Sequence, residues 1–331
     1  MFIKNSWLMV DFFFVLSGFV IAYNYQNQIK TLRDCVIFQS KRFLRLYPLH
    51  FIMLMVFLLL ECSKYFIQVH FGIFSNTPAF SANDSSSFIL NLLLLQNIFL
   101  DTLTWNGPSW SISSEFYTYI LFAVLTLLFY EKKFLFFGSI FSIILLSFIL
   151  LFSSDMTSSN GLLRCFYSFF LGVVVYHIYL NFKFTSPSYV TYISFFLTIF
   201  CISIAEGENI IGVNIFVPIL ISLSIFLLLK APETIFIKTI LNNRFLIHLG
   251  RISYGIYMIH IFVWWALIQV LRFIFKFPTS IDGRGMTEVI ISGQLMSSMI
   301  VIIGMAIIIL LSHFSYKKIE KPVNNLRKKI I

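Results

Sequence analysis

Charged residues are scarce in this chain of 331 residues, at 11% of the total, and acidic residues are the scarcest, with 14 Asp and Glu against 24 Lys and Arg. A soluble globular domain has about 25% charged residues. Hydrophobic residues make up 59% of the sequence and aromatic residues 18%. This composition excludes a soluble globular domain, a disordered chain and a coiled coil. It is typical of a helical protein that crosses a membrane many times.

Motifs for metal, nucleotide and redox chemistry are also missing. The four cysteines show no CxxC or CxxH spacing, so the sequence predicts neither disulfides nor a zinc site. It contains no glycine-rich phosphate loop, no HExxH and no GxSxG, which argues against an ATPase or a metalloenzyme. We therefore expect no metal and no bound cofactor. The net charge of +10 lies mainly in short breaks between apolar runs, so we expect it to orient the chain in a membrane, not to bind nucleic acid.

Nine apolar segments are long enough for membrane-spanning helices, which need ~20 apolar residues each. A tenth apolar run, 88–100, has only 13 residues and predicts a re-entrant or interfacial piece. No internal repeat or low-complexity linker interrupts the pattern. The sequence therefore predicts an all-α, polytopic bundle of about nine spanning helices in a single domain, 1–331. The nine segments are 7–25, 46–68, 114–130, 133–152, 162–180, 189–205, 211–229, 253–275 and 291–313.

The distribution of Lys and Arg predicts the orientation of these spans. If all nine cross and the C-terminus is cytoplasmic, 18 of the 24 basic residues lie on the cytoplasmic side. An excess of basic residues in cytoplasmic loops is the main determinant of topology. We therefore expect a multi-pass protein of the inner (plasma) membrane with a cytoplasmic C-terminus. This arrangement places the N-terminus outside, with no signal peptide before it.

Two arginines precede the second apolar segment, in the sequence KRFLR. Arg42 and Arg45 are three residues apart and would share one face of a helix. Pro48 is expected in the first turn of the span that follows. Two guanidinium groups at the cytoplasmic surface can bind a phosphorylated ligand. The alternative is an anchor that binds lipid phosphates.

A polar segment, WNGPSWSISSEFY (105–117), is predicted to lead from an outer loop into a helix. Glu115 would lie in the first turn, where the helix dipole favours a carboxylate. Polar groups beside two Trp residues suit a sugar-binding surface. A helix cap with interfacial aromatic residues is an equally good interpretation.

A third segment, LGRISYGIYMIH (249–260), predicts a helix that Ser253 caps. His260 would share one face with Ser253 and Tyr257 and lie within the bilayer. A histidine there can act as a base, carry a proton, or pack against a neighbouring helix.

Further polar groups occur near or inside the spans. The first span carries Asp11, which suits a solvated carboxylate at the membrane edge, and Ser17-Gly18, which permits a close helix approach. Glu61 and His177 are expected to be paired structural residues. Pro322 is expected to end the last helix.

Five segments in this order resemble the acyltransferase-3 family: VDFFFVLSGFVIAY, KRFLRLYPLH, NGPSWSISSEFY, LGRISYGIYMIH and FSYKKIEKP. Many members O-acetylate bacterial surface polysaccharides. The resemblance implies a ten-helix membrane enzyme that takes an acyl group, usually acetyl, from cytosolic acyl-CoA. It implies that Arg42 and Arg45 meet the CoA phosphates, and that Glu115 and His260 match the family's acidic residue and histidine. The expected partners are acyl-CoA, a saccharide acceptor and the bilayer.

The resemblance also implies a helix with an Arg and a catalytic His ahead of the first matched segment. This sequence has no counterpart of that helix before Phe12. One more helix would give ten spans and a cytoplasmic N-terminus. We therefore expect Met1 to be a late start or the chain to be N-terminally truncated, and we expect no transfer by these 331 residues alone.

Two other classes of protein remain open from the sequence. One is a saccharide transporter or flippase, which would be expected to show repeats or broken helices. The other is a truncated remnant without catalytic activity. Within the enzyme interpretation, the acceptor can be peptidoglycan, O-antigen, capsule, a secreted glucan or a lipid-linked sugar.

Overall fold

The computed structural model describes residues 5–72, 77–129, 131–154, 159–205, 213–281 and 287–328. Lys4, Arg284 and Lys329, which enter the charge count, lie outside the described residues. The regular secondary structure of the described chain is helical apart from one short antiparallel hairpin, in which Ser280 pairs with Glu288. The elements are α1 (Met9–Tyr25), α2 (Leu32–Phe71), α3 (Ser85–Leu92), α4 (Gln96–Phe99), α5 (Trp110–Phe129), α6 (Lys133–Ser154), α7 (Gly161–Asn181), α8 (Ser188–Ile204), α9 (Val213–Lys230), α10 (Phe236–Leu241), α11 (Arg244–Phe273), β1 (Thr279–Ile281), β2 (Thr287–Val289), α12 (Gln294–Ser315) and α13 (Lys321–Lys328).

Long apolar helices dominate because a bilayer offers no water to the backbone, and a helix satisfies its own N–H and C=O groups. Within the described residues, eight helical segments are long and apolar enough to span a membrane, and α8 is a shorter apolar helix. Each of the nine predicted apolar segments corresponds to a helix of the described chain, although the ends differ; positions 130, 211 and 212 lie outside the described residues. The short run 88–100 forms α3 and α4 instead of a span. The prediction of an all-α polytopic bundle is confirmed.

Three predicted helix ends were wrong. Helix α2 begins at Leu32, so Pro48 lies inside the helix and not in its first turn. In the turn of Pro48, the carbonyl of Leu46 accepts a hydrogen bond from the Tyr254 hydroxyl. Helix α11 begins at Arg244, so Ser253 is internal, and Pro322 lies inside α13. Hydropathy locates the apolar part of a helix and misses polar turns that extend it.

The chain forms two compact units. The first contains residues 1–42 and 111–243. Its centre is a close crossing of α1 and α7 at two glycines. A Cβ added to Gly18 would lie 1.9 Å from the carbonyl oxygen of Phe169, and one added to Gly172 would lie 2.0 Å from that of Val15. The predicted close approach at Ser17-Gly18 is confirmed.

The second unit contains residues 43–110 and 244–331. Here α11 packs against α12, where a Cβ added to Gly304 would lie 2.6 Å from the Trp264 ring. Helix α3 begins at an N-cap, with the Asp84 carboxylate accepting a hydrogen bond from the Ser87 N–H at 2.8 Å. Hydrogen bonds from Ser87 hold the pKa of Asp84 below its ordinary value of 3.8.

Candidate functional site

Arg42 is a buried cation of the first unit, with 4% of its surface exposed. Its Nη2 donates a hydrogen bond to the Tyr25 hydroxyl at 2.7 Å, and its guanidinium lies over the rings of Tyr25 and Phe38 at 4.8 and 5.8 Å. Among the described residues, no carboxylate pairs with Arg42. A buried charge without a counter-ion is costly, so this guanidinium is a candidate site for an anion.

Arg45 follows on the same helix but belongs to the second unit, and its side chain is exposed. The two arginines therefore have different surroundings although a three-residue spacing predicts a shared face. In the second unit, Glu320 is close enough to Arg45 for electrostatic attraction. Glu320 ends a π-helical turn, Tyr316–Glu320, between α12 and α13. An exposed arginine beside a carboxylate is a weaker anion site than the buried Arg42.

Glu115 lies in the second turn of α5 and not in its first turn, because the helix begins at Trp110. Its Oε1 accepts hydrogen bonds from the Ser17 hydroxyl at 2.7 Å and from the Tyr119 hydroxyl. The Ser17 and Tyr119 oxygens are 2.8 Å apart. Two hydroxyl donors offset part of the cost of removing a carboxylate from water. The group is a fixed carboxylate that can accept a proton or a hydrogen bond.

Glu115 and Arg42 belong to the same unit and are linked through aromatic contacts. The Phe38 ring lies 6.0 Å from the Tyr119 ring, and Tyr119 in turn donates to Glu115. Tyr119 could have been found from sequence, because it is four residues after Glu115 on one helix face. Tyr25 and Ser17 could not, because only the folded unit brings them to these side chains.

His260 lies in α11, in the second unit. Its Nδ1 is 2.6 Å from the carbonyl oxygen of Tyr257. A carbonyl only accepts, so Nδ1 carries the hydrogen, and Nε2 of the neutral ring keeps a lone pair. This geometry suits a proton acceptor. It equally suits a packed histidine, as the sequence suggests.

Two of the matched sequence segments meet in the second unit. The Asn106 amide donates to the Met258 carbonyl at 3.1 Å, and the Tyr257 hydroxyl donates to the Pro108 carbonyl at 2.9 Å. The turn Gly107–Ser109 is thereby fixed against α11, one turn from His260.

The interpretation of Asp11 as a solvated carboxylate is wrong. Asp11 and Arg164 are 0% and 1% exposed and form an ion pair at 2.7 Å. The Ser168 hydroxyl donates to the second carboxylate oxygen at 3.0 Å. The Arg164 guanidinium also lies 4.9 Å from the Trp7 ring centre. Both charges are satisfied by protein groups, which indicates a structural connection between α1 and α7.

Glu61 and His177 are paired structural residues, as expected. Glu61 contacts Lys64 at 3.0 Å and accepts hydrogen bonds from the Asn83 amide and the Phe80 N–H. His177 Nε2 lies 2.9 Å from Oε1 of Gln26.

A comparison with models of protein families gives a match that covers nearly the whole chain. The model of the family described as an acyltransferase domain matches residues 7–316. A search of curated proteins and a search of solved structures gave no match. The matched range includes Arg42, Arg45, Glu115 and His260. The chain therefore belongs to the acyltransferase-3 family of membrane acyltransferases.

Proposed function

We propose that this protein transfers an acyl group, in particular acetyl, from cytosolic acyl-CoA to a hydroxyl of a cell-surface or lipid-linked saccharide. Membership of an acyltransferase family supports the transfer. The observation that carries the choice of donor is the buried Arg42, whose guanidinium has no carboxylate partner among the described residues. Acyl-CoA brings phosphates, which are the natural counter-ions for such a group.

The reaction joins an acceptor oxygen to the thioester carbon. The acceptor hydroxyl gives its proton to a base as its oxygen attacks the carbonyl, the C–S bond breaks, and CoA leaves as a thiolate that takes the proton back from that base. Arg42 binds the phosphates, and the exposed Arg45 contributes to their approach. In this proposal Glu115 is the candidate for that base in the first unit, and His260, through its Nε2, is the candidate in the second unit.

Binding of acetyl-CoA to the full chain in lipid nanodiscs tests the role of Arg42. We expect Arg42→Gln to weaken binding about tenfold to a hundredfold, because hydrogen bonds to charged groups contribute about 1.5–3 kcal/mol. S-acetylpantetheine, which carries the thioester without the nucleotide phosphates, should bind both proteins equally.

The matched control is Arg33→Gln. Arg33 lies on the same helix and is exposed, so the variant removes the same charge without touching the buried guanidinium. Equal acetyl-CoA affinity of wild type and Arg42→Gln would refute the phosphate role. An equal loss of affinity for both thioesters would show that the variant disturbs the fold and not the phosphate contact.

A further inference from the structure

The second unit contains a network of buried polar side chains to which Arg42, Arg45, Glu115 and His260 do not belong. Its residues lie in α2, α3 and α4 and in or next to the turn Gly107–Ser109. Its members are nearly inaccessible to solvent: His50 1%, Asn91 0%, Gln96 6%, Asn106 2% and Ser109 1% exposed. Burying polar groups inside a membrane protein costs free energy, and such groups commonly mark a functional site.

Hydrogen bonds join four of these residues in a chain. His50 Nε2 lies 2.9 Å from the Asn91 carbonyl, and the Ser109 hydroxyl donates to Asn91 Oδ1 at 3.4 Å. The Gln96 amide donates to the Ser109 carbonyl at 3.1 Å. Asn106 joins through its own carbonyl, which accepts the Ser109 N–H at 2.9 Å. The network is therefore continuous from α2 to the turn that precedes α5.

Each of three side chains in this network has one buried atom without a hydrogen-bond partner in the described part of the chain: His50 Nδ1, Gln96 Oε1 and Asn106 Oδ1. In each side chain, the hydrogen-bond partner of the second polar atom shows whether the unpartnered atom is a donor or an acceptor. His50 Nε2 faces a carbonyl and must carry the hydrogen, which leaves a lone pair on Nδ1 of the neutral ring. The amide nitrogens of Gln96 and Asn106 donate to carbonyls, so the free atoms are oxygens. All three are acceptors, and none can donate.

The backbone here also departs from a simple span. Residues 88–100 are divided between α3 and α4, with a break at residues 93–95. Leu94 and Trp105 adopt left-handed φ angles of 59° and 55°. Side chains as large as these adopt such angles at a cost in energy, and strain of this kind is concentrated at functional sites.

We propose that this network binds the hydroxyl groups of an uncharged, hydroxyl-rich ligand, namely the saccharide that receives the acyl group. Three buried acceptors require a ligand that donates, and hydroxyl groups donate. No carboxylate hydrogen-bonds to His50, Gln96 or Asn106 within the described residues, so a cationic ligand would have no counter-charge there. The identification of this ligand as the acyl acceptor rests on the proposed function.

Saturation-transfer NMR on the full chain in nanodiscs tests the site, because the method detects weak saccharide binding. The probes are two neutral oligosaccharides, maltotetraose and tetra-N-acetylchitotetraose. We expect wild type to transfer magnetisation to at least one of them. His50→Gln retains a side-chain N–H for the Asn91 carbonyl but removes the ring lone pair. Gln96→Met keeps the volume and removes the free oxygen together with the amide N–H that donates to the Ser109 carbonyl, so its thermal unfolding temperature is measured beside its affinity. Each variant should lower the affinity about fivefold, the effect of one hydrogen bond.

The control variant is His70→Gln, which makes the same substitution at an exposed position of α2. No transfer to either probe from wild type would overturn the proposal, since the free acceptors would then bind water only. Equal transfer from wild type, His50→Gln and Gln96→Met would also overturn it. The acetyl-CoA binding experiment is independent of this one. If the protein binds a saccharide but not acetyl-CoA, the proposed function is refuted and the saccharide site is supported. If it binds acetyl-CoA but neither saccharide, the donor role of Arg42 is supported and the saccharide site is refuted.

Discussion

Arg42 and Arg164 are both buried guanidiniums of the first unit, and their partners give them different roles. Arg164 pairs with the Asp11 carboxylate at 2.7 Å, so its charge is compensated within the protein. Arg42 has a hydroxyl and two rings as partners and no carboxylate among the described residues, which makes it the candidate anion site. The motif predicts Arg42 from sequence. The pairing of Arg164 could not be predicted, because 153 residues separate it from Asp11.

Breaking the Asp11–Arg164 pair should destabilise the protein strongly. Asp11→Asn leaves the Arg164 charge buried without its counter-ion, which costs about 3–5 kcal/mol. The free energy of unfolding in detergent, followed by intrinsic fluorescence, measures the effect. The double variant Asp11→Asn/Arg164→Met should recover part of the loss, because it removes both charges.

The Lys238–Glu233 pair provides the control for that prediction. Its atoms lie 2.9 Å apart, but the Glu233 side chain is 86% exposed. Glu233→Gln should therefore change the free energy of unfolding by less than about 1 kcal/mol. If Asp11→Asn has an effect as small as that of Glu233→Gln, the buried pair does not stabilise the fold.

At the scale of elements, hydropathy is sufficient to predict the existence of the helices. It does not predict their ends. Helix α2 has 40 residues and would be ~60 Å long, about twice the thickness of the hydrocarbon core. Its first turns are polar and are helical because they pack in the first unit, where the Gln39 amide donates to the Phe116 carbonyl at 3.3 Å. Such contacts depend on tertiary structure and leave no periodic signal in the sequence.

The crossing of α1 and α7 is an element-scale feature that one methyl group should disrupt. Gly18→Ala would place a Cβ 1.9 Å from the Phe169 carbonyl oxygen, so the helices must separate. Overpacking of this kind costs about 1–3 kcal/mol or more. The thermal unfolding temperature of the variant in detergent should fall accordingly.

Gly138→Ala is the matched control for the helix crossing. A Cβ at Gly138, in α6, would meet no atom within 4 Å. Alanine favours a helix over glycine by up to about 1 kcal/mol, so this variant should be neutral or slightly more stable. Equal stability of Gly18→Ala and Gly138→Ala would mean that the two helices do not meet as closely as the glycines imply.

For the whole molecule, composition predicts a polytopic helical protein, and five ordered motifs predict the acyltransferase family; both predictions are confirmed. The candidate anion site was predicted by its motif arginines. Three members of the buried polar network, His50, Asn91 and Gln96, were not predicted, because they are isolated polar positions within apolar runs. Their significance depends on which atoms remain unpaired after folding, and spacing along the chain carries no information about that.

The number of membrane crossings is a whole-molecule property that depends on α8. Its 17 residues give ~25 Å, slightly less than the hydrocarbon core of ~30 Å. We nevertheless predict that α8 crosses. The Ser186 N–H donates to the Lys230 carbonyl at 2.9 Å, so the start of α8 lies beside the end of α9. Thr198 and Ser224 also share a hydrogen bond of 3.0 Å between the two helices. The pair is therefore a helical hairpin with both ends on one side of the membrane.

Single cysteines in a cysteine-free background, treated with a membrane-impermeant maleimide, measure this topology. The excess of basic residues predicts a cytoplasmic location for Lys183 and Asn243 and an external one for Asp101. Asp101→Cys should label in intact cells, whereas Lys183→Cys and Asn243→Cys should label only after permeabilisation. If α8 lay along the surface, α9 alone would separate Lys183 from Asn243, and only one of these two positions would label in intact cells. Labelling of both in intact cells, with Asp101 protected, would preserve the hairpin and reverse the orientation, which would place the C-terminus outside.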